Sequence, residues 1–134
     1  MMLINYKLDK DIWGGIGMYA NENIKKHDVV YIYNSSLIEI MSLTDIQALP
    51  DAARNAILKY SYSGKGQHKL VGAVYYGIDD SRFMNHSDDP SLIYDETYEC
   101  YTAARTLYVG EELTCDYNDF CERGSFCFDF YGDV

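Results

Sequence analysis

The run Asn85-His86-Ser87 is the part of the sequence best suited to bind a ligand, because it places an amide, an imidazole and a hydroxyl side by side. Phe83 and Met84 come just before it and are typical of a core, so the polar run should start from a buried anchor. Asp88-Asp89-Pro90 follows and ends any regular element. A polar turn capped by Asn and Ser is the alternative interpretation.

A glycine-rich stretch near the start is the second candidate for a binding segment. Gly15 and Gly17 flank Ile16, and glycine lets the backbone turn and lie close to a flat group. The pattern does not lead into a phosphate-binding helix, which argues against a dinucleotide site. A glycine-rich hairpin is the alternative.

The elements that must position these residues are mostly strands. The 14 tyrosines, many next to Val, Ile or another Tyr, favour strands. The exception is a predicted helical insert at about 42–60, where Ser42 and Asp45 resemble a capping box and Pro50 precedes a second short helix. Strand is predicted for 70–78, and a hairpin for 92–104. An aromatic tail occupies about 118–134.

Composition narrows the classes of function. A chain of 134 residues with 48% hydrophobic residues predicts one globular domain, 1–134. The net charge of −10 argues against direct nucleic-acid binding and suits a basic partner. No window is apolar enough to span a membrane, and Met1 to Leu8 does not resemble a signal peptide.

The four cysteines are expected to be free thiols in a reducing, intracellular compartment, which is the cytoplasm or the nucleus (the host nucleus for a viral protein). Their spacing does not match a zinc site, so no metal is expected.

Three blocks occur in a fixed order: the Gly15–Ala20 stretch, Arg82-Phe83-Met84-Asn85-His86-Ser87, and Gly110-Glu111-Glu112-Leu113-Thr114-Cys115-Asp116-Tyr117. In that order they resemble the SET-domain protein-lysine methyltransferases, and the match covers nearly the whole chain. The resemblance implies a mainly β, β-clip-like fold of short sheets with a helical insert. It also implies a C-terminal pseudoknot that brings Tyr117 near the Asn-His-Ser run.

The resemblance also implies a cofactor, S-adenosylmethionine, and a lysine-containing basic protein or peptide as substrate, a histone being one candidate. Tyr117 would be the catalytic tyrosine, and Tyr60, Tyr62 and Cys115 would contact the substrate. The residues implied in cofactor binding are Gly15, Ile16, Gly17, Tyr19, Arg82, Asn85, His86, Tyr117 and Phe126. A homodimer is one possible assembly of the protein.

The chain departs from the family pattern at His27, where a turn glycine is usual, and at Cys115, where phenylalanine or tyrosine is the rule. Phe126 and its aromatic neighbours in the tail are expected to cover the cofactor or the lysine channel.

Two other functions compete with methyl transfer. One is a non-catalytic SET-like module that binds basic peptides. The other is a hydrolase or metal protein built on His86 and nearby acids, namely Asp79, Asp80, Asp88 and Asp89.

Overall fold

A computed structural model describes residues 1–65 and 70–121. These residues form two compact units. Unit 1 comprises Met1–Ser35 and Asp79–Asp116, and unit 2 comprises Ser36–Ile78 and the segment that starts at Tyr117. The strands and helices, in chain order, are β1 (Tyr6–Lys10), β2 (Ile16–Ala20), β3 (Val29–Ile32), β4 (Ile38–Ser42), α1 (Leu43–Gln47), α2 (Asp51–Lys59), β5 (Ser61–Tyr62), β6 (Ala73–Gly77), β7 (Asn85–His86), β8 (Leu92–Asp95), β9 (Cys100–Ala103) and β10 (Thr114–Cys115). The predicted fold class, mainly β with a short helical insert, is confirmed.

Unit 1 begins with an antiparallel hairpin of β1 and β2, in which Tyr6 pairs with Ala20 and Lys10 with Ile16. The side chain of Asp11 closes the turn, because its Oδ1 accepts hydrogen bonds from the backbone of Trp13 at 2.9 Å and of Gly15 at 2.8 Å. Short acidic side chains commonly stabilise turns in this way. The glycine-rich stretch therefore lies in a hairpin, and its role in binding a ligand stays a prediction.

A three-stranded antiparallel sheet of order β3-β9-β8 supplies much of the core of unit 1. Val30, Leu92 and Ala103 are fully buried on it, at 0% exposure. The Tyr101 ring packs against those of Tyr31 and Tyr94, with centroids 6.1 and 5.1 Å away. Aromatic pairs at such distances stabilise a sheet beyond simple burial.

The Asn-His-Ser run lies in a short parallel pair of strands. In this pair Asn85 of β7 is in register with Thr114 of β10, and His86 with Cys115. Ser91 connects the same segments, since its backbone N–H donates to Thr114 Oγ1 and its hydroxyl donates to the Glu112 carbonyl, both at 2.9 Å. The third sequence block thus lies beside the second. The pseudoknot itself stays a prediction.

Unit 2 contains a sheet of order β4-β6-β5 and both helices. Ser42 caps α1 by accepting a hydrogen bond from the Asp45 backbone at 3.4 Å, and Pro50 precedes the first residue of α2, so the helical insert is confirmed. The strand predicted over 70–78 is shorter, Ala73–Gly77. Its first part forms a turn instead, because Gly72 adopts φ +74° and the Ala73 N–H donates to the Leu70 carbonyl.

His27 adopts the left-handed conformation, φ 74°, that the usual turn glycine would favour. Its backbone N–H donates to the Ala103 carbonyl at 2.9 Å, which holds the turn in place. A side chain with a Cβ is strained in this conformation, whereas glycine is not. We expect His27→Gly to raise the free energy of unfolding by about 0.5 to 1 kcal/mol. Urea denaturation would measure the change.

The matched control for that substitution is Lys26→Gly, because Lys26 does not have a positive φ. There glycine should lower stability, since it adds only freedom to the unfolded chain. Equal effects of the two substitutions would show that the His27 turn is not strained.

The structure corrects one expectation about the cysteines. Cys100 and Cys115 are thiols, as predicted, but Cys121 is disulfide-bonded. The prediction of free thiols is therefore wrong for Cys121. Disulfide formation depends on how close the folded chain brings two thiols, which composition does not report.

No helix in the described part of the chain is long and apolar enough to cross a membrane.

Candidate active site

Asn85 is a buried polar residue of unit 1. The residue is 3% exposed. Its amide Nδ2 donates two hydrogen bonds, one to Asp11 Oδ2 at 2.9 Å and one to Glu112 Oε2 at 2.8 Å. A buried amide normally finds partners, and here both of its N–H groups point at a carboxylate.

Gly17 lies against the same group. A Cβ placed on Gly17 would come 3.0 Å from Glu112 Oε2 and 3.2 Å from Asn85 Nδ2, so these two side chains would have to shift by a few tenths of an ångström to admit it. The fold therefore brings the glycine-rich stretch and the Asn-His-Ser run together, although they are far apart in the sequence. Glycine suits this position because two polar side chains approach the backbone closely.

Tyr19 also lies in acidic surroundings, close to Glu112. It pairs across an isolated bridge with Glu112, and its hydroxyl donates to the Lys10 carbonyl at 3.0 Å. The pKa of Tyr19 is raised, first by burial and then by the negative charges of Glu112 and Asp11, with a smaller contribution from Asp9. Negative charge thus accumulates beside β2.

His86 sits between two carboxylates of unit 1. Its Nε2 lies 3.0 Å from Asp88 Oδ1 and its Nδ1 3.7 Å from Asp116 Oδ1, and its side chain is 5% exposed. Paired in this way, the ring is held in one orientation.

Arg82 lies in the 3-10 turn Asp80–Phe83 that precedes β7. Its guanidinium donates to the Asp79 carbonyl at 2.8 Å and lies 4.4 Å from the centroid of the Phe83 ring. Asp79 caps this turn by accepting from the Ser81 backbone, and the Asp80 carboxylate accepts from the Tyr6 hydroxyl. These two acids thus serve structural roles. Within residues 1–65 and 70–121, no group of three or more His, Cys, Asp or Glu side chains could hold a metal ion.

Unit 2 holds a group of rings that we call the aromatic cluster: Tyr62, Tyr75, Tyr117 and Phe120. Tyr62 stacks on Tyr75, with centroids 5.3 Å apart, and meets the edge of Phe120 at 5.1 Å. Phe120 in turn packs against Tyr117 at 5.3 Å. Tyr117 is 6% exposed. Of the predicted aromatic site residues, Tyr62 and Tyr117 thus lie in one cluster.

The remaining predicted site residues lie in different surroundings. Tyr60 ends α2, with the Lys59 ammonium 5.4 Å from its ring centroid. Ile16 is 40% exposed at the start of β2, and Cys115 is 2% exposed. The prediction for Phe126 lies outside the described residues.

Sequence reasoning missed Asp11 and Glu112 in unit 1, and Tyr75 as a member of the aromatic cluster. A weak signal for Asp11 was present, because an acidic residue just before a glycine-rich turn often caps it. Glu112 belongs to the third sequence block, but nothing local indicates that it contacts Asn85. Tyr75 lies in a strand where every second residue looks equally suitable for a core.

The SET-domain family profile matches residues 15–118. A Plasmodium falciparum protein described as a candidate histone methyltransferase has a similar fold, with TM-score 0.51, 19% identity, and coverage of 87% of this chain and 95% of that chain.

Two structures of polycomb repressive complex 2 from Chaetomium thermophilum are also similar. One, in an autoinhibited conformation bound to S-adenosylmethionine, has TM-score 0.60, 19% identity and coverage of 96% of this chain. The other, bound to the inhibitor GSK126, has TM-score 0.60, 21% identity and coverage of 90%. This chain spans 16% of the length of either matched chain.

At these sequence identities the structural matches establish only the fold. The family profile covers most of the chain, and its range includes the glycine-rich stretch, the Asn-His-Ser run and Tyr117. The chain therefore belongs to the SET-domain family.

Proposed function

We propose that the protein transfers a methyl group from S-adenosylmethionine to the side-chain amine of lysine in a basic protein. The observation that carries the proposal is the convergence of Gly17 and Asn85, so close that a Cβ added to Gly17 would lie only 3.2 Å from Asn85 Nδ2. Each belongs to a different block of the family pattern. A polycomb complex of the same fold is bound to S-adenosylmethionine.

The residues of unit 1 fit such a cofactor chemically. When bound, S-adenosylmethionine supplies a methyl group activated by a sulfonium. Because Gly17 lacks a side chain, Asn85 and Glu112 can lie close to its backbone. The carboxylates of Asp11 and Glu112 beside Asn85 favour a cationic group. Asn85 and His86 would hold the amino-acid and adenine portions.

The lysine must be neutral when it attacks. Because the pKa of free lysine is near 10.4, deprotonation at pH 7 costs roughly 4 to 5 kcal/mol. An apolar aromatic channel lowers that pKa by desolvation. The aromatic cluster offers such surroundings, and in the proposal Tyr62 lines the channel while Tyr117 orients the amine and the methyl group.

The charge of the chain supports a basic substrate. Its net charge is −10, and Asp88 next to the Asn-His-Ser run is 71% exposed at the side chain. Such a surface attracts lysine-rich segments and accelerates their association, most strongly at low salt.

The direct test incubates the protein with methyl-labelled S-adenosylmethionine and a panel of histones and other lysine-rich proteins, followed by mass spectrometry of the modified residues. We expect the label on lysine, both in the absence and in the presence of a metal chelator. A non-catalytic module would instead bind basic peptides with no affinity for S-adenosylmethionine and no label transfer.

Cys115 is proposed to set how many methyl groups the lysine receives. The thiol has neither the ring nor the hydroxyl that the family usually has at this position, so the pocket should admit a methylated amine. We expect products up to di- or trimethyl-lysine for the wild type, and mainly monomethyl-lysine for Cys115→Tyr, because a tyrosine hydroxyl holds a water where a methyl group must fit. Mass spectrometry at long reaction times would measure the products.

The control for that prediction is Cys115→Phe, which adds the ring without the hydroxyl and should keep the higher products. Because Cys115 is 2% exposed, the melting temperature of both variants must be compared with that of the wild type. A wild type that stops at monomethyl-lysine, unchanged by tyrosine, would contradict the assignment.

A further inference from the structure

The side-chain amide of Asn85 lies between two carboxylates in unit 1. We call the arrangement of Asn85, Asp11 and Glu112 the clamp. One N–H points at Asp11 Oδ2, 2.9 Å from Nδ2, and the other at Glu112 Oε2, 2.8 Å from Nδ2. The three residues come from distant parts of the chain, 74 residues apart for Asp11 and 27 for Glu112. Bonds to ionised acceptors are stronger than neutral ones, so the clamp is a strong constraint.

The clamp determines which way the amide faces. An amide has two N–H donors and one carbonyl acceptor. With both donors directed at carboxylates, the carbonyl oxygen Oδ1 must point away from them, since the reversed amide would place oxygen against two negative oxygens. Asn85 therefore presents an acceptor, in surroundings that carry the negative charge of Asp11 and Glu112.

Asp11 also connects the clamp to the glycine-rich turn. While its Oδ2 accepts from Asn85, its Oδ1 accepts from the backbone of Trp13 and Gly15 at 2.9 and 2.8 Å. One side chain thus ties the hairpin turn to β7. An asparagine at this position could not replace it, because an amide has one acceptor oxygen where a carboxylate has two.

We infer that Asp11 and Glu112 are positioning residues that orient the Asn85 amide so that its carbonyl oxygen accepts a hydrogen bond from the α-ammonium group of the cofactor. The inference rests on the proposed function. An acceptor beside two carboxylates suits a cationic donor and repels the ligand's own carboxylate, so the ammonium is the part of the amino-acid portion that fits.

The first experiment separates positioning from a general structural role. S-adenosylhomocysteine carries the amino-acid portion, and 5′-methylthioadenosine lacks it. For Asp11→Asn we expect the dissociation constant of S-adenosylhomocysteine to rise about tenfold, and that of 5′-methylthioadenosine to change less than about twofold. Glu112→Gln should behave in the same way. Calorimetric titration would measure both ligands.

The matched controls are Asp9→Asn and Glu111→Gln. These acids are near Asp11 and Glu112 in the sequence but are not bonded to Asn85. Asp9 accepts a hydrogen bond from the Lys10 backbone, and Glu111 accepts one from the Tyr108 backbone. Both controls should leave the two dissociation constants unchanged. Equal weakening of both ligands by Asp11→Asn would overturn the inference, because it would indicate a general disturbance of the fold.

A second measurement tests the clamp in the protein without ligand. The side-chain amide protons of Asn85, assigned by their loss in Asn85→Asp, should exchange slowly with solvent, and Asp11→Asn should accelerate that exchange. Rapid exchange in the wild type would overturn the clamp. A wild type that binds neither ligand would refute the proposed function, whereas the amide protons would still report on the clamp.

Discussion

Tyr117→Phe should lower the turnover number about a hundredfold or more while leaving the dissociation constant of S-adenosylmethionine within about twofold. The change removes only a hydroxyl. Its ring, 6% exposed and 5.3 Å from that of Phe120, keeps its packing, so the fold should survive. If the hydroxyl orients the amine and the methyl group in the transition state, its loss must appear in turnover rather than in binding.

Single-turnover kinetics and calorimetric titration would measure the two quantities for Tyr117→Phe. The matched control is Tyr108→Phe, which removes the same hydroxyl from a tyrosine that is 61% exposed in unit 1 and should leave both quantities unchanged. Wild-type turnover in Tyr117→Phe would remove Tyr117 from the catalytic step.

Asn85→Ala should have the opposite kinetic signature, raising the dissociation constant of S-adenosylmethionine by about thirtyfold or more. The substitution removes the carbonyl proposed to contact the cofactor. It also leaves Asp11 and Glu112 facing each other without the amide that separates them, and their mutual repulsion should distort the site further. Turnover at saturating cofactor should be partly recovered.

Asn85→Ala should also lower the free energy of unfolding, by about 1 to 3 kcal/mol, because it removes two buried hydrogen bonds at a residue 3% exposed. Asn23→Ala is the matched control, since the Asn23 side chain also makes a hydrogen bond, which it accepts from the Val109 backbone, but it does so on the surface. Comparable loss of cofactor affinity in both variants would argue against a direct role for Asn85.

The two predictions together distinguish binding from catalysis. If Asn85 binds S-adenosylmethionine and Tyr117 acts in the methyl transfer, the protein should lose affinity in one variant and turnover in the other. A non-catalytic module for basic peptides would show neither effect, because it would have no turnover to lose and no cofactor affinity to weaken.

Local signals in the sequence were sufficient for the features that depend on neighbouring residues. Ser42 and Asp45 predicted the start of α1, since a cap requires only residues a few positions apart. The hairpin of β8 and β9 was also foreseen, because β-branched and aromatic residues flank an acidic turn. Three motifs in a fixed order sufficed to identify the family, as the profile over residues 15–118 confirms.

Only the tertiary structure decided which side chains meet. Asp11 and Asn85 are 74 residues apart, and no local rule predicts that one carboxylate would cap a turn and also orient an amide on a distant strand. His27 shows the same limit. The sequence showed only that it replaces a usual turn glycine, whereas the structure shows that it adopts the glycine-like conformation and that its backbone donates to Ala103. Capping and periodicity act over one or two turns of chain, but the geometry of a site arises from contacts that form only when distant segments pack.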